Sequence, residues 1–187
     1  MRQNIEKEHN LMKKLIALLA LVCVVLMPFS VMAEEKTAIN WETSEALIAD
    51  TDLTGDFYNI EEMGLKIWLP DELNSVEVTE EETASGVYAK LTDEEQTCVL
   101  TIYALHVDGI TLDQAYQNAV NGGMKEPEIV TINGIDAVSY EAEETNEGAI
   151  VLVDTNDNMI FFTFSPINDE GAKMIFYIIG SSIMPIE

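Results

Sequence analysis

Apolar and polar residues trade places along this chain in two rhythms, and the switches between them mark out the elements. Leu65, Ile67 and Leu69 alternate with Lys66 and Trp68 until Pro70, a period of two that predicts a strand. Phe57–Ile60 is a shorter strand candidate just before it, beyond the turn residues around Gly55. Trp41–Ala49 reads as a short helix, and Glu34–Asn40 as a polar, flexible lead. Asp71–Ser85 is a polar connector with a helical turn at Thr79–Ala84. Val87–Leu91 and Cys98–His106 are strands joined by the acidic turn Thr92–Thr97, and the second sets Cys98, Leu100, Ile102, Ala104 and His106 on one side.

The rhythm then becomes helical. Leu112, Ala115, Tyr116 and Ala119 recur at helical spacing behind Thr111 and Gln114, a capping box, and Gly122-Gly123 closes the helix. A meander follows. Ile129–Ile132 turns at Asn133-Gly134 into Ile135–Glu141, Thr145–Gly148 leads to Ala149–Val153, and Asn156–Asn158 leads to Met159–Ser165. Turns this short admit only antiparallel pairing. Pro166 ends the run, and Asn168 is expected to cap a last helix to about Ser181, with Ala172, Ile175, Phe176 and Ile179 on one face. Met159–Ser165 is apolar on both faces (Ile160, Phe162, Phe164 against Met159, Phe161), as are Val151 and Val153 against Ile150 and Leu152. Strands of that kind need cover on both sides. The fold class expected is α+β: a central antiparallel sheet flanked by helices, an α/β/α sandwich.

The N-terminus belongs to a different class of segment. Lys13-Lys14 precede an uncharged apolar run, Leu15–Met27, which Pro28 breaks before Val31-Met32-Ala33. A basic stretch, a short apolar core and a small residue at the cut are the parts of a secretory signal peptide, with cleavage expected after Ala33. An uncleaved anchor is the competing reading, because Leu15–Ala33 is charge-free over 19 residues. Cys23 is not a lipoprotein site, since Val22 occupies the position that needs a small residue. Met1–Asn10 is polar for a leader, so Met12 competes with Met1 as the start. The organisation expected is thus residues 1–33 as signal peptide, 34–54 as lead and short helix, and 55–187 as one α+β domain.

Charge narrows the partners. The chain of 187 residues has 34 acidic and 9 basic residues and a net charge of −25. From Glu34 onward there are five lysines, no arginine and 32 acids, a formal charge of −27. That excess argues against nucleic acid and against an anionic membrane, both of which need basic patches. It favours a protein or other cationic surface, although solubility alone is a sufficient reason for it. After the leader only Cys98 remains, so no intramolecular disulfide and no cysteine-based zinc site can form. A chain of this size buries enough surface to need neither.

Candidate chemistry is sparse. His106 is the single histidine after the leader and ends a strand, where an ordinary surface role is expected. Cys98 shares its face with Leu100 and Ile102 and is expected to be an inert, buried thiol. Asp50, Asp52, Thr54, Gly55 and Glu61 match the spacing of a calcium-binding EF-hand loop except at Thr54, with Trp41–Ala49 as entering helix. The exit side contradicts the motif, because a strand ending at Pro70 follows where a helix belongs. A plain acidic turn is expected. Asp154, Asn156 and Asn158 read as a hairpin turn. Trp68, with Lys66 and Tyr88 or Tyr103, offers an aromatic platform, though packing beneath a helix is expected for Trp68.

Several short motifs occur in a telling order: Gly64-x-x-Ile67-x-Leu69-Pro70; Thr111-Leu112-Asp113; Ile132-Asn133-Gly134-Ile135-x-Ala137-x-x-Tyr140; Phe162-x-Phe164-Ser165-Pro166; and Phe176-x-x-Ile179-x-x-Ser182-Ile183. Together they span most of residues 57–183, and the chain resembles the PsbP-like group, which includes the Mog-type Ran-interacting proteins. The resemblance implies an α/β/α sandwich with a central antiparallel sheet and an accessory, assembly or binding role. It transfers no catalytic, cofactor or metal residue. The expectation is therefore a secreted, non-catalytic binding or accessory domain without cofactor. An extracellular calcium-binding domain is the alternative, and a carboxylate-based hydrolase the third reading.

Overall fold

The computed structural model describes residues 36–186. The signal peptide expected over residues 1–33, and the choice between Met1 and Met12, lie outside the described residues. Among those described, no helix is long and apolar enough to cross a membrane.

Among the described residues eleven strands and four α-helices follow one another: β1 (Thr37–Ile39), α1 (Trp41–Ala49), β2 (Gly55–Ile60), a 3-10 turn (Glu61–Met63), β3 (Leu65–Pro70), β4 (Asn74–Ser75), α2 (Glu80–Ala84), β5 (Val87–Thr92), β6 (Val99–His106), α3 (Leu112–Asn121), β7 (Lys125–Ile132), β8 (Ile135–Ala142), β9 (Glu147–Val153), β10 (Asn158–Ser165), α4 (Glu170–Ser181) and β11 (Met184–Pro185). The main sheet has the order β1-β7-β8-β9-β10-β6-β5-β4, and a second, smaller sheet has the order β11-β3-β2. Every ladder is antiparallel except β1 with β7.

The two-sided apolar strands sit where their pattern requires. β9 and β10 are central in the main sheet, and each face has its own core. On one side Leu152, Ile160, Phe162 and Phe164 meet Ala172, Phe176 and Ile179 of α4 and Leu65, Ile67 and Leu69 of β3. On the other, Val138, Tyr140, Val151, Met159 and Phe161 meet Ala115 and Ala119 of α3. The fold is an α+β sandwich with the sheet in the middle, as the pattern demanded. Four departures from expectation have tertiary causes. The flexible lead contains β1, whose three residues pair in parallel with Val130–Ile132. β2 and β3 leave the main sheet and form a separate one with the C-terminal β11. β7 begins at Lys125, earlier than Ile129, because a bulge lets it continue past Pro127. Asp169, not Asn168, caps α4 by accepting the Ala172 N–H, while the Asn168 N–H goes to Asn146 Oδ1.

Local chemistry explains the helix ends. Thr111 and Gln114 form the full capping box at α3, and Thr79 and Glu82 repeat it at α2. At the end of α3, Gly123 takes φ +73°, its N–H bonds to Val120 O, and the Met124 N–H reaches back to Ala119 O. That is a Schellman closure, and it turns Met124 into the α3 core.

Candidate functional site

The residues singled out by the sequence scatter in three dimensions, and the surface that does assemble lies on the smaller sheet. β3 is buried on both faces. Its Leu65, Ile67 and Leu69 enter the main core, so Lys66 and Trp68 point the other way. Trp68 is only 5 % exposed, and the ring of Trp41 from α1 lies over it at 6.1 Å between centroids. Trp68 therefore packs beneath a helix and is not a platform. The register carries the exposed ring one strand outward. Phe57 faces Trp68 across the ladder, meets Trp41 edge-on at 5.2 Å, and lies 5.7 Å beneath the Lys66 ammonium. Tyr58 projects from the opposite face of β2. Phe57 is 41 % exposed and Tyr58 51 %. Gly55 permits this packing: a Cβ there would stand 2.3 Å from the Leu69 carbonyl and 2.6 Å from the Trp68 ring.

Acidic residues flank this aromatic edge in sequence. Between Asp50 and Asp71 there are six carboxylates and one lysine, Lys66. The other lysines of the described chain are already engaged: Lys36 with Asp136, Lys90 with Glu82, Lys125 with Glu141 and Glu143, and Lys173 with Glu141. Lys173 and Lys125 hold the Glu141 carboxyl below its ordinary range. Near the edge, the Tyr88 hydroxyl donates to Glu62 at 2.5 Å, which pushes the phenol up and holds the Glu62 carboxyl down. Tyr103, the other aromatic considered for the platform, lies on the far face of the main sheet against Phe161.

The calcium-loop residues do not converge. Asp50 closes α1, Asp52 sits in the following turn, and β2 then runs straight from Gly55 to Ile60 before Glu61. At about 3.3 Å per residue, six extended residues carry Glu61 roughly 20 Å from Gly55. Glu61 there accepts from Asn59 Nδ2. Among the described residues, no group of three or more His, Cys, Asp or Glu side chains is placed to hold a metal ion. An EF-hand loop must curl back on itself, and the reading of Phe57–Ile60 as a strand already opposed that.

His106 contacts Asp108 and Asn158 at the surface, and the Asp108 hydrogen bond raises its pKa. Cys98 is half-buried, and burial, reinforced by the Asp93 charge, pushes its thiol up and away from reactivity. Asp154 accepts the Asn156 and Asn158 N–H groups, a turn held by one carboxylate. A shallow pocket of about 410 Å³ opens at the β7 bulge between Glu126, Pro127, Glu128, Ser139, Tyr140 and Glu141. The sequence pattern points to Trp68 and Lys66 and gives no sign of Phe57, Tyr58 and Trp41 as one cluster. Pairing Phe57 with Trp68 required the β2–β3 hairpin, whose turn (Glu61–Gly64) carries only the glycine as a signal; Gly64 has φ +63°.

No family model and no curated protein matches the chain. The solution structure of cyanobacterial PsbP (CyanoP) from Synechocystis sp. PCC 6803 does, over 71% of this chain and 92% of that one, with a TM-score of 0.54 and 17% identity. The fold is PsbP-like. At that identity the likeness is one of architecture alone.

Proposed function

We propose that the protein is an exported, non-catalytic binding or accessory domain whose partner is a protein or other cationic surface. The observation that carries this reading is the aromatic edge. Phe57 and Tyr58 are held exposed on opposite faces of one strand, within a stretch of six carboxylates and one lysine. Exposed aromatics on a rigid, otherwise charged element mark contact surfaces, because they supply large contact area at small entropic cost. The PsbP-like architecture and the leader-type segment before Glu34 support the same reading.

A photo-crosslinking amino acid placed at Tyr58, and in parallel at Val120 on α3, tests it in cells producing the full chain. The expected result is a processed protein beginning at Glu34 outside the cytoplasm. It should give discrete adducts from position 58 and none from position 120. Retention of the unprocessed chain in the cytoplasm, or equal labelling at both positions, would overturn the reading.

A further inference from the structure

The smaller sheet ends on β2, and β2 is an unusual edge. Among the described residues the two sheets have four outer strands. Three are short: β1 with three residues, β4 with two and β11 with two. β2 has six. Edges of that length are ordinarily blunted by lysine, proline or a bulge. β2 contains neither lysine nor proline, and its register with β3 runs unbroken from Gly55 opposite Pro70 to Ile60 opposite Leu65.

The direction of its backbone groups follows from its neighbour. The Trp68 N–H points away from β2 and donates to Ser182 Oγ at 2.8 Å, and the Asp71 N–H bonds to the Thr54 carbonyl at 2.9 Å. Residues 54, 56, 58 and 60 therefore make the bonds to β3. By the alternation of an antiparallel ladder, the N–H and C=O groups of Gly55, Phe57 and Asn59 face outward. None of these three outward N–H groups has a backbone partner among the described residues. Three donors and three acceptors thus stand in a row, with one aromatic ring above the strand and another below.

We propose that β2 accepts an extended, lysine- or arginine-bearing peptide segment of a partner protein as an added strand. This rests on the binding-domain reading and names its mode. Main-chain hydrogen bonds to Gly55, Phe57 and Asn59 supply the register, and Phe57 and Tyr58 hold side chains on the two faces. Charge selects the occupant. Asp56 lies in the strand itself, with Asp50 and Asp52 before it and Glu61 and Glu62 after it. A second copy of residues 34–187 would bring the same acidic edge and the same net charge of −27, and would repel. A basic segment is drawn to it.

The test uses purified residues 34–187 and a synthetic seven-residue peptide alternating lysine and valine, at 150 mM salt. Three comparison peptides accompany it: one with glutamate for lysine, one N-methylated on alternate backbone nitrogens, and one with its sequence scrambled into a lysine block and a valine block. Hydrogen exchange is read at single amides. Saturable binding is expected, with slowed exchange at Gly55, Phe57 and Asn59. Asp56, Tyr58 and Ile60, already bonded to β3, should hardly change. The glutamate and N-methylated peptides should bind at least tenfold more weakly. Asn59→Pro removes one outward donor without touching a β3 bond and should weaken binding several-fold, while Asn59→Ala should not.

Equal binding of the N-methylated or scrambled peptide, or protection spread over the acidic surface, would mean simple charge condensation and overturn the proposal. So would the absence of binding at millimolar peptide. Protection of the same three amides on concentrating the protein alone would make a second copy the occupant and overturn it too. Persistence of position-58 crosslinks in cells after any such result would leave the binding-domain reading standing and strand addition refuted.

Discussion

Replacing Asn133 probes how the α/β/α layers are tied together. Asn133 occupies the first turn position between β7 and β8 with φ +47°, followed by Gly134 at +85°, the all-positive geometry of a tight hairpin turn. Its side chain reaches out of that turn. Oδ1 accepts the Trp41 N–H at the start of α1 at 2.8 Å, and Nδ2 donates to the Ser181 and Ile183 carbonyls at 2.7 and 2.9 Å. One side chain thus joins a hairpin, the first helix and the end of the last. Ser181 and Ile183 are buried, so water cannot replace what Nδ2 provides. Each bond contributes about 0.5–1.5 kcal/mol net, so Asn133→Gly, which keeps the turn geometry, should cost roughly 3 kcal/mol. Asn133→Ala loses the same bonds and keeps a Cβ in left-handed backbone without asparagine's local hydrogen bonding, so it should fall about 1–2 kcal/mol below the glycine variant. Asn133→Asp keeps the acceptor for Trp41 but turns a carboxylate toward two carbonyls, and it should fall at least as far as glycine. For a domain of this size, 3 kcal/mol is a drop in Tm of roughly 6–12 °C. Urea unfolding followed by the fluorescence of Trp41 and Trp68 measures it, with the slope m unchanged. A loss below about 1 kcal/mol in Asn133→Gly, or an alanine variant no less stable than the glycine one, would refute the clamp.

Gly55→Ala should lower stability by about 1–3 kcal/mol, because the new methyl overlaps both the Leu69 carbonyl and the Trp68 ring; a Tm within 1 °C of the parent would contradict the packing described. The Thr92–Cys98 loop should open in acid. Partial burial pushes the Asp93 carboxyl up, but the Cys98 and Thr97 N–H groups and the Thr97 hydroxyl reverse this and hold it below its ordinary range. A carboxyl depressed on folding stabilises above its unfolded pKa of about 4 and loses that contribution as pH falls through the lower folded value. The Thr97 and Cys98 amides should therefore keep their protection, relative to the intrinsic exchange rate at each pH, from pH 7 to about 4 and lose it below; loss of protection already at pH 5 would show the sign to be wrong.

What the linear chain determined here is local or periodic. The capping box at Thr111, the Gly122-Gly123 stop, the Asn133-Gly134 turn and the two-sided apolar strands each encode their outcome within about ten residues, and the structure realises all four. Strands apolar on both faces demand a covered sheet, so the layered architecture was legible as well. Tertiary structure decided whatever depends on partners distant in sequence. Thr37–Ile39 becomes a strand only because Val130–Ile132 lies beside it. β2 and β3 form a separate sheet because β11, more than a hundred residues on, takes the other side of β3. Asn133 announces a turn in sequence, yet its larger work is a bond set spanning 92 residues to Trp41 and 48 to Ser181. The aromatic edge follows the same rule. Alternation assigns Trp68 a face, but only the hairpin register and the ring of Trp41 bury it and leave Phe57 at the surface. Periodicity specifies which way a side chain points; what it meets there depends on which strands come together.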